Sequence, residues 1–408
     1  MRTAILINVG DELLRGSIIN SNLHSIARLL FQKGICLLKN IVLPDDKDAI
    51  KEELMNCLGK QDLIIITGGL GPTPDDLTRQ AVAEALGKPI FYMDNIYNAL
   101  LPQFKKFQIP ETPLLKNYAL VVEGAEIIFN DIGIAPGQVL KEENSVILLL
   151  PGPESEALHI LNKYLENIET PSRHYSIIRT HTLKENEILD LIEPELKDLS
   201  FGIYPGIRGV DIFISHEDPG ILSERIHIVR EKLNGYIYAE NSKNIEEIVG
   251  EKLKQKKYTI SIAESCTGGL LGNLITDVSG SSEYFLGGAV TYSNEAKIRL
   301  LKVPKEILKM YGAVSKECAY YMAKGGKEIF GSDISIAITG IAGPTGGTPE
   351  KPVGLVFIGI NYLDKIYVMG NQFSGERKEI KMKSALKALY LLNSILDGVD
   401  FSENLVKL

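Results

Sequence analysis

Apolar residues in the first part of the chain form short continuous runs, separated by stretches with helical spacing. A run that is apolar throughout is typical of a parallel strand covered on both faces, whereas a 3.6-residue period is typical of an amphipathic helix. The predicted strands are Thr3 to Val9, Leu63 to Thr67 and Ser145 to Leu150, and the predicted helices are Ser21 to Lys33, Lys47 to Leu58 and Asp76 to Leu86. This alternation predicts an α/β layer fold with a mainly parallel sheet over residues 1–170.

A smaller α+β domain is predicted over residues 171–241, followed by a third, α/β domain over residues 242–408. The middle part is predicted as strand Tyr175 to Thr180, helix Glu185 to Leu196, a strand pair around 205–209, helix Leu222 to Leu233 and strand Tyr236 to Ala239. Its segment Gly206-Ile207-Arg208-Gly209 has the letters of the GxxG loop of nucleic-acid-binding KH domains. Because it falls between predicted strands rather than helices, we favour a hairpin turn. The third domain begins with a predicted helix, Ile245 to Lys256.

Composition narrows the class of protein and its partners. With 408 residues, 45% apolar and 24% charged, the chain is typical of a globular protein of two or three domains. Its net charge of −8 argues against nucleic acid as a partner, which requires a basic surface. Four cysteines without metal-ligand spacing indicate reduced thiols and a cytoplasmic location. The sequence lacks an apolar stretch of about 18 residues, so we expect no membrane partner.

Two polar segments of the third domain bring a serine, a tyrosine and a lysine into one candidate site. Residues 263–269 (AESCTGG) lie between a predicted strand and a helix start, and residues 291–297 (TYSNEAK) follow. A serine without a nearby histidine needs another base, and a lysine with a lowered pKa is one known solution. Amide or ester hydrolysis is therefore the first chemistry to consider. The alternative is that Ser265 and Thr267 cap the helix near Leu270.

Two further segments of the third domain are suited to binding an anion. Residues 338–348 (ITGIAGPTGGT) follow the predicted strand Ile334 to Ile338, and their glycines let backbone N–H groups approach a ligand closely. Arg377 then precedes the predicted helix Lys378 to Leu392, where an arginine opposes the helix dipole unless an anion binds there. The alternative is that Arg377 only pairs with Glu376 or Glu379 on the surface.

The first domain carries its own glycine-rich loop, residues 68–78 (GGLGPTPDDLT), between a strand and a helix. Such a loop is well arranged for a phosphate. Two adjacent carboxylates, Asp75 and Asp76, would repel a polyanion unless a divalent cation such as Mg²⁺ lies between them. The alternative is that both aspartates cap the helix.

The segments AESCTGG, TYSNEAK, TGIAGPTGG and SGERK together resemble the C-terminal domain of the CinA family, whose members are nicotinamide mononucleotide deamidases. The resemblance implies Ser265 as nucleophile, Lys297 as its base and Tyr292 as a hydrogen-bonding partner, without a metal or other cofactor. It also implies Thr339 and Arg377 as substrate contacts. Backbone N–H groups of Thr267, Gly268 and Gly269 are suited to stabilise an oxyanion, and Arg377 with Gly343 of the glycine loop is suited to the substrate phosphate.

The segments GDELLRG, NSN, GGLGPTPDDLT, APG and PGPESE resemble the molybdopterin-binding-like N-terminal domain of the same family. The family is associated with metal-dependent ADP-ribose pyrophosphatase activity, which implies a divalent cation in this domain. The expected metal ligands are Asp45, Asp75 and Asp76. The expected substrate-binding residues are Asn20, Asn22, Gly68, Gly69, Gly71 and Thr73.

The sequence therefore predicts a bifunctional enzyme of pyridine-nucleotide recycling. One domain hydrolyses nicotinamide mononucleotide to nicotinate mononucleotide and ammonia, and the other cleaves ADP-ribose to AMP and ribose 5-phosphate. The family resemblance further implies a KH-like middle domain, and we expect a homodimer. Two alternatives stay open: a non-catalytic regulatory role in competence or DNA damage, and molybdopterin binding by the N-terminal domain.

Overall fold

The computed structural model describes residues 2–166, 168, 174–241, 243–399, 403 and 406. It divides into two compact units, Met1–Arg173 and His174–Leu408. The predicted boundary at 170/171 and Ser242, the first residue of the predicted third domain, lie outside the described residues. The division into three domains therefore stays a prediction.

The first unit is built on a mixed sheet. Its strands are β1 (Thr3–Val9), β2 (Cys36–Leu43), β3 (Leu63–Thr67), β4 (Ile90–Tyr92), β5 (Leu120–Val122), β6 (Glu126–Ile128), β7 (Gly137–Glu142) and β8 (Ser145–Leu150). Its helices are α1 (Asp11–Leu14), α2 (Ser21–Gln32), α3 (Lys47–Cys57), α4 (Thr78–Leu86), α5 (Asp94–Lys106) and α6 (Glu154–Glu166), with a 3₁₀ helix over Pro113–Ala119. The sheet order is β2-β1-β3-β8-β7-β6, parallel through β8 and antiparallel beyond it.

Alternation along β1 explains why this unit has three layers. Ile5, Ile7 and Val9 pack into one core with residues of α3 and α4, whereas Ala4 and Leu6 pack into a second core with residues of α2 and α6. Both faces of the central strands are therefore buried, which accounts for their continuous apolar sequences. The predicted fold class is confirmed, and the three strands predicted here match the observed bounds.

The second unit begins with an antiparallel sheet covered on one face by helices. Its elements are β9 (His174–Thr180), α7 (Glu185–Ile192), a 3₁₀ helix (Glu193–Leu196), β10 (Ser200–Gly206), β11 (Gly209–His216), α8 (Pro219–Lys232) and β12 (Ile237–Glu240), in sheet order β10-β11-β9-β12. Gly206 pairs with Gly209 at the tip of the β10–β11 hairpin, so the hairpin interpretation of this GxxG-like segment is confirmed.

A second sheet in the same unit carries the Ser, Tyr and Lys segments. Its elements are α9 (Ile245–Lys256), β13 (Ile260–Glu264), α10 (Leu270–Thr276), a 3₁₀ helix (Ser281–Glu283), β14 (Phe285–Val290), α11 (Asn294–Leu301), α12 (Lys305–Tyr311), α13 (Lys316–Phe330), β15 (Ile334–Gly340), β16 (Leu355–Tyr362), β17 (Lys365–Gln372) and α14 (Arg377–Leu396). Residues of α9, α10 and α14 cover one face, and residues of α11, α12 and α13 cover the other. The sheet order is β14-β13-β15-β16-β17, in which β14, β13 and β15 are parallel and the last two strands are antiparallel.

Candidate active site

The candidate site lies where the three parallel strands of the second sheet end. Ser265 directly follows β13, Thr291 directly follows β14, and Thr339 lies near the end of β15. Because parallel strands end at the same edge of a sheet, three segments that are far apart in the chain meet there. Ligands of α/β sheets commonly bind beyond the carboxyl ends of the strands.

Ser265 and Lys297 form a buried pair at this edge. The Lys297 Nζ lies 2.9 Å from the Ser265 Oγ, and the two residues are 1% and 7% exposed. The same Nζ donates to the main-chain oxygen of Thr291 at 2.7 Å and approaches that of Tyr292 at 3.4 Å. A neutral amine has two N–H bonds and one lone pair. In the neutral form of Lys297, directing both N–H bonds at these carbonyl oxygens would leave the lone pair facing the Ser265 hydroxyl, which is the arrangement that a general base requires.

The surroundings of Lys297 favour that neutral form. Burial lowers its pKa below the ordinary lysine value of 10.5, while the nearby thiols of Cys318 and Cys266 act in the opposite direction. Among the described residues, Lys297 has no ion pair with a carboxylate, which would have stabilised the ammonium form. The predicted base therefore has both the position and the environment for accepting a proton from Ser265.

The turn after Ser265 is held by a residue that the sequence analysis missed. Glu264, the last residue of β13, is fully buried, and its carboxylate accepts N–H groups from Gly269 at 3.0 Å, Leu271 at 3.2 Å and Gly272 at 2.9 Å. The carboxylate thereby accepts the backbone N–H groups that are otherwise unpaired at the start of α10. No side chain of Ser265 or Thr267 caps that helix. The capping alternative for those two residues is therefore wrong. The signal available in the sequence was an acidic residue in the last position of an apolar strand.

This arrangement corrects the prediction for the oxyanion-binding amides. The Gly269 N–H is taken by Glu264, and the Gly268 N–H donates to the Ser265 main-chain oxygen at 3.1 Å. Both glycines adopt left-handed backbone, with φ of 63° and 94°, because the chain must reverse within the turn. In the described part of the chain the Thr267 N–H has no acceptor, and the Cys266 N–H donates to no oxygen but bonds to its own thiol sulfur. These two amides are therefore the candidates for stabilising an oxyanion.

The two threonines predicted to bind substrate in this site, Thr267 and Thr339, are both buried. Thr339 is 1% exposed and donates its hydroxyl to the Ala313 main-chain oxygen at 2.7 Å, so its side chain serves packing at the end of β15. Thr267 is fully buried, and its Oγ1 has no hydrogen-bond partner among the described residues. An unsatisfied buried hydroxyl is costly, so Thr267 Oγ1 retains hydrogen-bonding capacity for another group in the site.

Arg377, Tyr292 and Gly343 meet on the open side of the site. Arg377 is the first residue of α14, and its guanidinium donates to the Gly343 main-chain oxygen at 2.6 Å and to the Tyr292 hydroxyl at 3.3 Å. Tyr292 is 64% exposed, and its hydroxyl bonds to Arg377 rather than to Ser265 or Lys297. Arg377 has no ion pair with Glu376 or Glu379 in the described structure, because the Glu379 carboxylate accepts the Glu376 N–H. The alternative of a surface ion pair is therefore wrong.

Cys266 lies beside the predicted nucleophile, Ser265, but its own thiol is poorly suited to that role. Its side chain is buried, and burial raises the pKa of the thiol to about 11. Since the thiolate is the reactive form, few molecules carry it at neutral pH.

The glycine-rich loop of the first unit lines a separate cavity of about 510 Å³. The lining includes Gly68, Gly69 and Gly71, the carboxylates of Glu12, Asp45, Asp75, Asp76 and Glu156, and the apolar residues Phe107, Ile109 and Ile132. Arg79, which the sequence analysis missed, is almost fully buried and donates to the main-chain oxygens of Leu70 and Gly71, which fixes the loop.

Three residues predicted to bind substrate in this unit have other contacts. The Asn20 side chain accepts the Leu23 N–H and caps α2, and Asn22 donates to the Gly152 main-chain oxygen. Thr73 donates its N–H and its hydroxyl to Asp76 within the loop. None of the three lines the cavity, so their observed roles are in holding the backbone.

The predicted metal ligands do not converge. The Asp76 carboxylate accepts N–H groups from Gly71 at 2.7 Å and Thr73 at 2.8 Å, and one Asp45 oxygen accepts the Asp11 N–H at 2.9 Å. Throughout the described residues, no group of three or more His, Cys, Asp or Glu side chains is placed to hold a metal ion. The aspartates therefore do not fit a metal site in this arrangement. They do not cap α4 either, because its N-cap is Leu77 and no side chain bonds there.

Comparison with known proteins covers both ends of the chain. The family described as "CinA C-terminal domain" matches residues 242–396, and the family described as "Probable molybdopterin binding domain" matches residues 5–170. The chain is 38% identical over 411 residues to a CinA-like protein of Thermotoga sp. (strain RQ2), covering 98% of this chain and 99% of that protein. A CinA-like protein of Dictyoglomus thermophilum is 37% identical over 408 residues, covering 96% and 98%.

Solved structures resemble a part of the chain. A competence-damaged protein (CinA) superfamily protein from Klebsiella pneumoniae is 32% identical, with a TM-score of 0.37, and the match covers 38% of this chain and 96% of that one. The protein CinA with unknown function from Thermoplasma acidophilum is 28% identical, with a TM-score of 0.38, covering 41% and 97%. In the described part of the chain, no helix is both long and apolar enough to cross a membrane.

Proposed function

We propose, from the premise that this chain belongs to the CinA family, that its C-terminal part is an amidohydrolase that converts nicotinamide mononucleotide to nicotinate mononucleotide and ammonia. The observation that carries the proposal is the buried Lys297–Ser265 contact of 2.9 Å, beside which the main-chain oxygens of Thr291 and Tyr292 lie 2.7 and 3.4 Å from the same Nζ. The resemblance of the surrounding segments supplies the substrate, and the geometry supports the chemistry.

The reaction follows from these positions. Ser265 Oγ attacks the carboxamide carbon while its proton passes to the Lys297 amine, and negative charge develops on the carbonyl oxygen. The N–H groups of Cys266 and Thr267, neither of which donates to a protein oxygen, are the donors for that oxygen. The Lys297 ammonium then returns the proton to the departing nitrogen, so that ammonia leaves and an acyl ester remains on Ser265. Lys297 next accepts a proton from water as the water oxygen attacks the ester carbon. The bond from that carbon to Ser265 Oγ then breaks, Lys297 returns the proton to Oγ, and the carboxylate product is released.

Point variants test the serine mechanism. We expect Ser265→Ala and Lys297→Met each to lower kcat by several orders of magnitude, because nucleophile and base act as a unit. Cys266→Ala, the matched control, removes the adjacent thiol and keeps most of the rate. Ammonia release from nicotinamide mononucleotide is measured with and without EDTA, and we expect the chelator to have no effect. More than about a tenth of the wild-type rate in Ser265→Ala would exclude the serine mechanism.

As a second function we propose ADP-ribose hydrolysis in the cavity of the first unit. The observation that favours it is a glycine-rich loop facing several carboxylates across a space of nucleotide size, about 510 Å³. In the described part of the chain, the carboxylates that line this cavity are not placed to hold a cation together. AMP formation from ADP-ribose, measured with Mg²⁺ and with EDTA, tests both the activity and its dependence on a cation.

The remaining expectations belong to the same proposal. We propose nucleotides as the partners of both sites, a homodimer and a cytoplasmic location, and we do not propose nucleic acid binding. A regulatory role without catalysis would leave both nucleotides unchanged in these assays. Binding of molybdopterin by the first unit would give affinity for that compound without AMP formation.

A further inference from the structure

A second cation on α14, Lys381, faces residues 265–269, which we call the nucleophile turn. Lys381 is four residues after Arg377, so the two side chains share one face of the helix. Its Nζ lies 3.6 Å from the position that a Cβ on Gly268 would occupy, and Gly268 donates its N–H to the main chain of Ser265. The Lys381 ammonium therefore lies against the turn that carries the nucleophile.

Lys381 has no partner for its charge among the described residues. It has neither an ion pair nor a hydrogen bond there, although many other lysines of this acidic protein pair with carboxylates. Arg377 has only a carbonyl and a hydroxyl as acceptors. Two positive charges on one helix face repel each other, and their proximity to the nucleophile turn is explained if an anion binds between them.

The start of α10, which also lies next to Ser265, is not available to bind an anion. The N–H groups at the start of α10 donate to the Glu264 carboxylate, whose negative charge also repels an anionic ligand from that end. An anionic part of the substrate is therefore directed away from α10 and toward Arg377 and Lys381 of α14.

We propose that Lys381 is a substrate-binding residue that, together with Arg377, holds the phosphate monoester of the substrate. This inference rests on the proposed function for the identity of the substrate. A phosphate monoester carries about −1.5 to −2 charges at neutral pH, which two cations match better than Arg377 alone. The pair thus selects a nucleoside monophosphate over the uncharged nucleoside.

Kinetics with two substrates test the role of Lys381. Lys381→Met keeps the aliphatic chain and removes the charge, and we expect it to lower kcat/KM for nicotinamide mononucleotide about 10- to 100-fold, mostly through KM. Nicotinamide riboside has the same carboxamide and ribose without the phosphate, so its kcat/KM should change less than about twofold. Equal losses for both substrates, or an unchanged rate with the mononucleotide, would overturn the proposal.

Lys378→Met is the matched control. Lys378 lies on the same turn of α14, is exposed and has no partner among the described residues, so its removal changes the net charge equally. We expect kcat/KM to be unchanged for both substrates in Lys378→Met. If Lys378→Met lowered kcat/KM for the mononucleotide as much as Lys381→Met does, the loss would come from the change in net charge and not from a contact between Lys381 and the phosphate.

Binding separates this inference from the proposed reaction. In a Ser265→Ala background, calorimetry measures the affinity for nicotinamide mononucleotide without turnover. Lys381→Met should weaken binding about 10- to 100-fold. The double variant with Arg377→Met should lose less binding free energy than the sum of the two single losses, because both cations contact the same phosphate. If the wild type does not deamidate but Lys381→Met still weakens binding, the proposed function fails and the inference stands. If affinity is insensitive to Lys381→Met, or no binding occurs, the inference is wrong.

Discussion

Lys297 is the residue on which the proposed chemistry depends, and its environment explains how an amine can act as a base. Burial disfavours the charged form, and the carbonyl oxygens of Thr291 and Tyr292 orient the amine without adding a full negative charge. A carboxylate in their place would stabilise the ammonium form and remove the base. The proposed mechanism therefore requires uncharged acceptors, such as these two carbonyl oxygens, around the Lys297 amine.

The lowered pKa of Lys297 predicts an acidic limb in the pH profile of deamidation. Only the neutral amine accepts the Ser265 proton, so kcat/KM should rise with pH through the folded-state pKa of Lys297 and level off above it. The midpoint should lie below the ordinary lysine value of 10.5. Rates measured between about pH 6 and 10 locate it, and a midpoint at or above the ordinary value would contradict the assignment.

The same shift predicts how stability depends on pH. The folded state releases the Lys297 proton at a lower pH than the unfolded chain does, so between the two pKa values the unfolded state holds more protons. The contribution of Lys297 to the free energy of unfolding therefore increases with pH across that window and is smallest below it. Lys297→Met should flatten this part of the curve, as measured by urea unfolding at several pH values.

At the scale of elements, the buried Glu264 carboxylate fixes the β13–α10 connection that carries Ser265, the proposed nucleophile. Glu264 ties three amides of the turn and of α10 to the end of β13, and Ser265 is the next residue. Glu264→Gln keeps the volume but places an NH₂ group against at least one of these N–H groups. We expect a loss of about 1–3 kcal/mol in unfolding free energy and a lower kcat with little change in KM.

A capping carboxylate elsewhere supplies the control for this prediction. Glu247 accepts the Asn244 N–H at 2.7 Å at the start of α9, away from Ser265 in the chain. Glu247→Gln should lower stability in the same manner and leave kcat unchanged. If kcat per folded molecule were also unchanged in Glu264→Gln, its carboxylate would be structural only.

Sequence predicted the elements better than the contacts between them. The strands at Thr3, Leu63 and Ser145 and the helix at Ile245 were predictable because apolar runs and helical periods are local properties. The roles of Glu264 and Lys381 were not, because each acts on a turn that only the folded sheet brings to it. Local patterns also misled: Asp75 and Asp76 precede α4 without capping it, since Asp76 folds back on its own loop.

At the scale of the whole molecule, two compact units with separate candidate sites predict separable activities. Asp76→Asn should suppress AMP formation from ADP-ribose, because the amide cannot accept the Gly71 and Thr73 N–H groups as the carboxylate does. Ammonia release should be unaffected, since Ser265, Lys297 and Arg377 lie in the other unit. Loss of both activities in a folded Asp76→Asn protein would refute the two-site description.

Contacts within the second unit predict where the proposed deamidase can be cut from the chain. Tyr390 of α14 stacks on His181 with ring centroids 4.8 Å apart, and Arg208 pairs with the buried Glu246 at 2.7 Å. Tyr238 and Ala239 belong to the same core as Leu389. A chain that begins at residue 243 would expose this core and leave Glu246 without its partner.

We therefore expect a chain of residues 174–408 to be more stable than one of residues 243–408. Exposing Tyr390 alone removes about 1.5–3 kcal/mol of apolar burial, and the unpaired Glu246 adds to that loss. Both chains should deamidate at low temperature, because each retains Ser265, Lys297 and Arg377, but the shorter one should lose activity first on heating. Thermal unfolding followed by circular dichroism, with ammonia release measured in parallel, makes the comparison. Equal midpoints for the two chains would mean that residues 174–241 do not support the deamidase fold.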